Sequence, residues 1–386
     1  MPPILIDVTR LFYRRLAGRR PTGVDRVCLE YVRHYRRGAR AVLSRGGFHV
    51  VLTEEVSAKA FGGLINPESK FGPIAARIIG SAALRCFATP AAVECLLFNT
   101  GHMGLEDPGW AGPLRLRGAK PVFFIHDLIP IRYPEYCRPG EHGRHVSRMH
   151  NALATGSGII VNSRSTLETL ERFAEQLRIK CPPAVVAPLA PPALGQAGPR
   201  PLDKPYFVVL GTIEPRKNHW LLLHVWRQLV ERLGEEAPRL VVIGQRGWEC
   251  ENVVDVLERC LPLRGVVLEL NRCSDHELAG YLHHAQALLM PSFAEGYGLP
   301  VVEALAAGIP VIASDLAVFH EVAGDVPEYA DPLDGPRWVE LVLQYSCAES
   351  SSRRAQLARL TKYRPATWAE HFCIVDEFVQ RLTMGR

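Results

Sequence analysis

Short apolar runs alternate with amphipathic stretches along the chain. In the first half, residues 24–35 have the apolar spacing of a helix, and the apolar runs around them lie at residues 4–8, 49–53, 95–98, 122–125 and 159–161. This alternation is typical of βαβ units that build a parallel sheet. Polar residues follow several runs, as Asn99 and His126 do. Because parallel sheets bind ligands at the carboxyl ends of their strands, we expect functional groups at these positions.

The second half repeats the pattern after a proline-rich stretch. Predicted strands lie at residues 206–210, 240–243, 266–268, 287–290 and 310–313, and helices begin at about Asn218 and Leu299. Eight prolines occur from Cys181 to Pro205, a density that neither a helix nor a central strand tolerates. A chain of 386 residues is long enough for two domains. We therefore predict a first domain at residues 1–190, a linker at 191–205, a second domain at 206–366 and a final helix from about residue 367.

The composition is that of a globular protein, with 47% hydrophobic and 22% charged residues. No window reaches the roughly 18 consecutive apolar residues of a membrane span. The first nine residues include Asp7 and lack the order of charge, apolar run and cleavage site of a secretion signal. The ten cysteines form no C-x-x-C pair and no zinc-like spacing. We therefore predict no bound metal, no disulfide framework and a reducing, cytoplasmic location.

The net charge of +5 is distributed unevenly, because residues 1–60 contain 12 Lys+Arg and only 5 Asp+Glu. Two interpretations stay open for this excess. It could attract an anionic membrane surface or a polyphosphate-linked acceptor, or it could be a solvated helix face. No nucleic-acid partner is expected. The arginines concerned are Arg14, Arg15, Arg19, Arg20, Arg33, Arg36, Arg37 and Arg40.

Residues 291–308 contain the densest candidate site. A predicted strand leads into a glycine-flanked loop that carries Glu295, and the loop opens a helix with Pro300 in its first turn. Backbone N–H groups at such a helix start, together with the helix dipole, are suited to a diphosphate. Glu303 lies inside the helix, where it could accept a hydrogen bond from a sugar hydroxyl, or could be an ordinary exposed residue. The candidate donor-binding residues of the loop are Gly296, Tyr297, Gly298 and Leu299.

A second candidate site lies at residues 211–219, directly after a predicted strand. Arg216 and Lys217 could clamp a phosphate there, and stabilising a leaving diphosphate is what a sugar transfer needs. The alternative is a solvated basic pair, although positive charge at a helix start opposes the helix dipole. Treating Lys217 as a surface residue, we expect Lys217→Ala to abolish most turnover and to cost at most about 0.5 kcal/mol of stability.

Together these segments resemble the donor domain of glycosyltransferase family 4 over about 120 residues, from Gly211 to Asp331. Glu295 and Glu303 match the E-x7-E motif of the family, with Tyr297 where phenylalanine is more common, and Arg216 and Lys217 match its basic pair. The resemblance implies an α/β protein of GT-B fold, with two Rossmann-like domains facing across a cleft. It also implies that Glu295 binds donor-sugar hydroxyls and that Glu303 binds the nucleotide ribose.

The first half resembles the family more loosely. Gly23 lies where such enzymes place a glycine-rich loop near the donor phosphates, but Thr22 replaces one glycine of the usual pair. His126, followed by Asp127, is similar to the family histidine that reaches the transferred sugar. Trp368 is similar to the tryptophan found where the chain crosses back, so residues 367–386 are expected to belong to the first domain.

The resemblance implies a retaining, metal-independent transfer that needs no cofactor. In this reaction class the leaving phosphate helps to deprotonate the acceptor hydroxyl, while Arg216, Lys217 and the loop amides stabilise the growing phosphate charge. Arg216, Lys217, Glu295 and His126 are therefore the candidate catalytic residues. A glycosidase would need two carboxylates close across the scissile bond, and no such pair is evident.

Three other functions compete with this interpretation. A nucleotide-sugar epimerase or a non-catalytic GT-B partner subunit should lack these motifs, and an NAD enzyme should carry a G-x-G-x-x-G segment after a strand. Residues 244–248 and 126–130 resemble bacterial mannosyltransferases that build O-antigen or exopolysaccharide. We therefore predict GDP-mannose as the donor and a saccharide or lipid-linked saccharide as the acceptor, with a UDP-hexose as the alternative donor.

Overall fold

A computed structural model describes residues 3–66, 68–85, 94–347 and 349–384. The described residues divide into two compact units. The first unit consists of Met1–Ile131, Gly140–Leu189 and Thr367–Arg386. The second unit consists of Arg132–Pro139 and Ala190–Ala366.

The first unit contains a sheet of seven strands in the order β3-β2-β1-β4-β5-β6-β7. Neighbouring strands are parallel except β2 and β3, which form an antiparallel pair at one edge. The strands are β1 Ile4–Asp7, β2 Ala39–Arg45, β3 Phe48–Val51, β4 Cys95–Asn99, β5 Ala119–Ile125, β6 Gly158–Val161 and β7 Ala184–Val186. The helices that surround this sheet are α1 Thr9–Leu16, α2 Gly23–Tyr35, α3 Glu54–Ile65, α4 Phe71–Arg85, α5 Gly112–Arg115, α6 Ile129–Arg132, α7 Glu141–Thr155 and α8 Arg164–Gln176.

The second unit contains a parallel sheet of six strands in the order β10-β9-β8-β11-β12-β13. The strands are β8 Tyr206–Leu210, β9 Arg239–Ile243, β10 Val267–Leu270, β11 Leu288–Met290, β12 Val311–Ser314 and β13 Glu328–Ala330. The helices are α9 His219–Leu233, α10 Glu251–Arg259, α11 Asp275–His283, α12 Leu299–Ala306, α13 Ala317–Ala323, α14 Gly335–Ser346 and α15 Ser351–Leu360.

Helices cover both faces of the second sheet, which explains why its strands are continuous apolar runs. Leu240 and Val242 of β9 pack with Trp226 of α9 on one face. Val241 and Ile243 of the same strand belong to a separate apolar cluster on the other face. Alternate side chains of one strand therefore enter two different cores, as the pleat of a strand requires.

The last helix, α16 Trp368–Met384, packs on the first unit. Its Leu382 lies so close to β6 that a Cβ atom at Gly158 would meet the leucine side chain at 2.4 Å. Its His371 is fully buried, and the two ring nitrogens lie 3.0 Å from the Pro188 carbonyl oxygen and 3.0 Å from the Tyr31 hydroxyl. Helix α16 is thus held by side-chain packing and by polar contacts.

The structure differs from the predicted linker at two points. Strand β7 lies inside the proline-rich stretch, and this is possible because β7 is an edge strand with hydrogen bonds to β6 alone. Residues 191–205 belong to the second unit, where the carbonyl oxygens of Gly195 and Gly198 contact the rings of His283 and His284. This segment is therefore packed against its own unit and is not a separate spacer.

A third difference concerns Arg132–Pro139, which we placed in the first domain. These residues group with the second unit because the Tyr136 ring stacks on that of Phe293 and the Tyr136 carbonyl oxygen accepts a hydrogen bond from Trp248.

Within the described ranges, no helix has the length and apolar character needed to cross a bilayer.

Candidate functional site

Arg216 and Lys217 follow β8 in a short 3₁₀ turn, Pro215–Lys217. Asn218 then adopts a left-handed conformation with φ 54°, and α9 begins at the next residue. The Asn218 side-chain amide donates hydrogen bonds to the carbonyl oxygens of Pro291 and Pro332, at 3.2 and 2.8 Å. The first bond attaches the turn to the loop after β11, which carries Glu295, and the second attaches it to the segment after β13.

Both basic side chains contact Glu295. Lys217 Nζ lies 2.6 Å from Glu295 Oε1, and Arg216 Nη1 lies 2.8 Å from Glu295 Oε2. Arg216 Nη2 also lies 2.6 Å from an oxygen of Glu214. We call Glu214, Arg216, Lys217 and Glu295 the charge cluster. Predicted site residues that are 78 positions apart in the chain are thus in direct contact.

Hydrogen bonds to neutral groups orient the charge cluster further. Ser292 Oγ donates to Glu295 Oε1 at 2.8 Å, and Arg216 Nη1 donates to the Ala294 carbonyl oxygen at 2.7 Å. The backbone N–H of Phe293 donates to the Arg216 carbonyl oxygen at 2.9 Å. Buried charges need such partners, because water does not compensate them.

Burial and pairing together set the protonation of the charge cluster. Burial raises the pKa of Glu295, but the charges of Arg216 and Lys217 outweigh it and hold that pKa at about 2. Burial lowers the pKa of Lys217, and the charge of Glu295 opposes this shift. The pKa of Glu214 is raised by burial, although Arg216 opposes the change. At neutral pH we therefore treat Glu295 as an anion between two cations.

The expectation that Lys217 is a surface residue is wrong. Lys217 is only 8% exposed and its ammonium group contacts a buried carboxylate. The two acidic partners also explain why a basic pair is tolerated just before a helix start. The stability cost expected for Lys217→Ala must be revised upward accordingly.

The loop after β11 leads into α12 as the sequence predicts. Gly298 caps the helix with φ 85°, and a Cβ atom there would lie 2.4 Å from the ring of Phe319, so a side chain does not fit. Gly296 and Tyr297 precede this cap, Tyr297 being buried, and Leu299 is the first residue of α12. Glu303, on the same helix, is 8% exposed, which excludes the interpretation as an ordinary exposed helix residue.

His126 lies in the first unit, directly after β5, and is 7% exposed. Its Nε2 is 2.7 Å from the carbonyl oxygen of Thr100, so Nε2 carries a proton and Nδ1 is the acceptor of the neutral ring. Burial lowers the pKa of His126 to about 4. The ring is therefore neutral at physiological pH and suited to accepting a hydrogen bond from a hydroxyl group.

Asp127 orients the backbone beside this histidine. Its Oδ1 accepts a hydrogen bond from the Ile129 N–H at 3.0 Å, and its carbonyl oxygen lies 3.1 Å from Nε2 of His145. These contacts orient the loop that follows β5.

Gly23 is the first residue of α2, and the preceding Thr22 is the N-cap. Asp25 accepts hydrogen bonds from the backbone N–H and the hydroxyl of Thr22, both at 2.7 Å. The same carboxylate contacts the guanidinium groups of Arg10 and Arg14, each at 2.7 Å. The Thr22 hydroxyl thus helps to hold Asp25 at the start of α2, with a bond that glycine at this position could not make.

Sequence reasoning missed Glu214, Ser292 and Asn218. The position of Glu214, two residues before Arg216, was the available signal, because a carboxylate next to a buried guanidinium is a natural partner. The contacts of Ser292 and Asn218 depend on tertiary structure. Across the residues that the structure describes, no group of three or more His, Cys, Asp or Glu side chains is arranged to hold a metal ion.

The two sets of predicted residues lie in different units. Arg216, Lys217, Glu295 and Glu303 are in the second unit with the loop residues 296–299, whereas Gly23 and His126 are in the first. Within the first unit the charges of Arg10 and Asp25 affect the pKa of His126, so the start of α2 and the end of β5 are near one another.

Comparisons with known proteins agree with this architecture. A family model described as "Glycosyl transferases group 1" matches residues 193–326. The O-antigen chain mannosyltransferase B of Escherichia coli is 30% identical over 272 residues, which cover 68% of this chain and 70% of that protein. The serotype-specific mannosyltransferase WbdA of Escherichia coli is 28% identical over 241 residues, covering 58% of this chain and 29% of WbdA. This chain thus matches under a third of the length of WbdA.

The fold has a counterpart among solved structures. HepE of Anabaena, crystallised in complex with UDP, superimposes with a TM-score of 0.67 over 100% of both chains at 14% sequence identity. Two parallel-sheet α/β domains of this kind form the GT-B fold. On the family model, this fold and the 30% identity to an Escherichia coli relative, the chain belongs to the group 1 glycosyltransferases, which the sequence motifs identify as glycosyltransferase family 4.

Proposed function

We propose that this protein transfers mannose from GDP-mannose, with retention of configuration, to a saccharide or lipid-linked saccharide in the synthesis of a bacterial surface polysaccharide. Two relatives named as O-antigen or serotype-specific mannosyltransferases support the sugar and the process. The observation that carries the proposal is the convergence of Arg216 and Lys217 on Glu295, beside the start of α12.

In the proposed reaction the donor diphosphate binds Arg216 and Lys217. Their positive charges, with backbone N–H groups at the start of α12, stabilise the negative charge that develops as the bond between sugar and phosphate breaks. The phosphate oxygen that leaves accepts the proton of the acceptor hydroxyl, and this hydroxyl attacks the face from which the phosphate departs. The reaction requires neither a metal nor a cofactor.

The carboxylates and His126 recognise the sugar nucleotide. Glu295 accepts hydrogen bonds from hydroxyl groups of the transferred sugar, and Glu303 accepts them from the ribose. His126, whose ring is neutral, accepts a bond from a sugar hydroxyl at Nδ1, and Gly23 allows the phosphates to approach the start of α2 closely. Exposed Arg19, Arg36 and Arg37 support a peripheral contact of a cytoplasmic protein with anionic lipid.

The test is a donor panel with the purified full-length chain. GDP-mannose, UDP-glucose and UDP-N-acetylglucosamine are offered with a mannose-containing oligosaccharide, and release of GDP or UDP is measured. We expect release of GDP, with an α-linked product by NMR, and strong loss in Glu295→Ala but not in the matched surface variant Lys204→Ala. Turnover of UDP-sugars alone would replace mannose by another hexose, and a β-linked product would contradict retention.

A further inference from the structure

Arg132–Pro139, called the strap here, begins at the last residue of α6 and ends two residues before α7, and it belongs to the second unit. Residues Pro134–Tyr136 form a 3₁₀ turn within it. The chain leaves the strap at Gly140, whose φ of 81° favours glycine and turns the backbone into α7. The strap is thus a short excursion of the chain onto a different unit.

The strap contacts two loops at the carboxyl ends of strands in the second sheet. The Tyr136 ring stacks on that of Phe293 in the loop after β11, with centroids 5.4 Å apart and planes 10° apart. The indole N–H of Trp248, in the loop after β9, donates to the Tyr136 carbonyl oxygen at 3.3 Å. The Arg138 guanidinium lies 4.8 Å from the centroid of the same indole, a cation–π contact.

Phe293 joins the strap to the charge cluster. Its N–H donates to the Arg216 carbonyl oxygen, and its two sequence neighbours bind the cluster directly. Ser292 donates to Glu295, and the Ala294 carbonyl oxygen accepts from Arg216. A displacement of the Phe293 ring therefore moves backbone that orients both Arg216 and Glu295.

We propose that Tyr136 is a positioning residue, which acts through Phe293 to hold Arg216 and Glu295 in the geometry that binds the donor diphosphate and sugar. This inference rests on the proposed function of the charge cluster. The strap restrains the loop that carries Phe293 and Glu295, and groups already held in their binding geometry bind a ligand more tightly, because less conformational freedom is lost on binding.

The experiment measures donor KM, kcat and the calorimetric Kd of the released nucleoside diphosphate, using whichever donor of the panel the protein turns over. Tyr136→Leu removes the stacked ring, and we expect kcat/KM to fall roughly 3- to 10-fold, the range of one aromatic pair. The loss should appear mainly as a higher KM and Kd. Tyr136→Phe keeps the ring and should restore values near those of the wild type.

Two further variants make the test specific. Phe293→Leu should give a similar loss, and the double variant with Tyr136→Leu should be little worse than either single one, because both remove one contact. Trp248→Phe removes the N–H donated to Tyr136 and weakens the cation–π contact with Arg138, so it tests the strap even where Tyr136→Leu folds poorly. It should raise KM and Kd as well.

Each remaining outcome has a definite meaning. If the wild type is active and both Tyr136→Leu and Trp248→Phe keep its KM and Kd, the role of the strap is overturned, while the proposed function of the charge cluster stands. Losses that multiply in the double variant also overturn it, as does a fall in kcat with KM and Kd unchanged. A wild type that neither binds GDP or UDP nor turns over any sugar nucleotide overturns the proposed function of the cluster itself.

Discussion

Lys217 is a charged residue placed where water cannot solvate it well. Its side chain is 10% exposed, and that of its partner Glu295 is 7% exposed. Removing one member of a buried ion pair leaves the other without full compensation, and this usually costs more than the pair itself contributes. Here Arg216 remains as a second partner of Glu295 and limits the cost.

We therefore predict that Lys217→Ala lowers the free energy of unfolding by about 1–3 kcal/mol in addition to reducing turnover. The matched control is Lys204→Ala in the same unit, because Lys204 is 38% exposed and its Nζ lies 3.6 Å from an exposed carboxylate. That variant should cost about 0.5 kcal/mol or less. Urea unfolding of both variants measures the difference, and equal small losses would mean that Glu295 is compensated by other groups.

At the level of the element, α12 is bounded by two glycines in the left-handed conformation. Gly298, at its start, has φ 85°, and Gly308, just beyond its end, has φ 77°. A Cβ atom at Gly308 would meet nothing within 4 Å, whereas one at Gly298 would meet the buried Phe319 ring at 2.4 Å. A substitution at Gly308 therefore introduces backbone strain only, whereas one at Gly298 introduces backbone strain and a steric clash.

We predict that Gly308→Ala costs about 1 kcal/mol, from strain alone. Gly298→Ala should cost roughly 3 kcal/mol or more, because the helix start must move away from Phe319. It should also raise the donor KM, since the predicted diphosphate site lies at that helix start. Unfolding by urea and donor kinetics check both variants, and equal costs would show that Phe319 moves aside without penalty.

At the level of the whole molecule, buried histidines make stability dependent on pH. Burial lowers the pKa of His126 and of His371 to about 4 and that of His219 to about 3. An unfolded histidine titrates near pH 6.5, so below that pH the unfolded chain binds more protons than the folded one. Stability is therefore complete above pH 6.5 and declines as the pH falls towards 4.

His219 is well suited to test this dependence, since neither of its ring nitrogens has a hydrogen-bond partner among the described residues. Titration of this one group changes the free energy of unfolding by at most about 1.4 kcal/mol per pH unit. We predict that His219→Leu flattens the decline of the urea midpoint between pH 6 and pH 4. Leu222→Ala, which removes a fully buried apolar group from the same helix, should lower the midpoint about equally at every pH. Parallel curves for His219→Leu and the wild type would contradict this explanation.

Sequence reasoning recovered the strands that are buried on both faces, because their apolar runs are continuous. It missed β2, in which Arg40 and Arg45 interrupt the pattern, and β13, which is a three-residue edge strand. It also missed β7, which lies between Pro183 and Pro188. β7 and β13 are short edge strands, which tolerate nearby prolines, whereas β2 is an inner strand whose arginines break the apolar run, so composition identifies all three poorly.

The candidate site, too, was only partly predictable from the sequence. Motif spacing indicated Arg216, Lys217 and Glu295, but the contacts between them join separate loops, and the burial of Lys217 does not follow from local pattern. The stacking of Tyr136 on Phe293 joins residues 157 positions apart, which no local signal encodes.

The charge cluster has a consequence for selectivity. The group consists of two carboxylates, Glu214 and Glu295, in contact with two cations, Arg216 and Lys217, so it has no net charge when all four groups are ionised. Chloride must compete with two carboxylates for the same cations and has no hydrogen-bond donor to offer Glu295 in return. On the proposed function a sugar nucleotide supplies the diphosphate and the hydroxyl groups together, so we expect this pairing to discriminate against chloride.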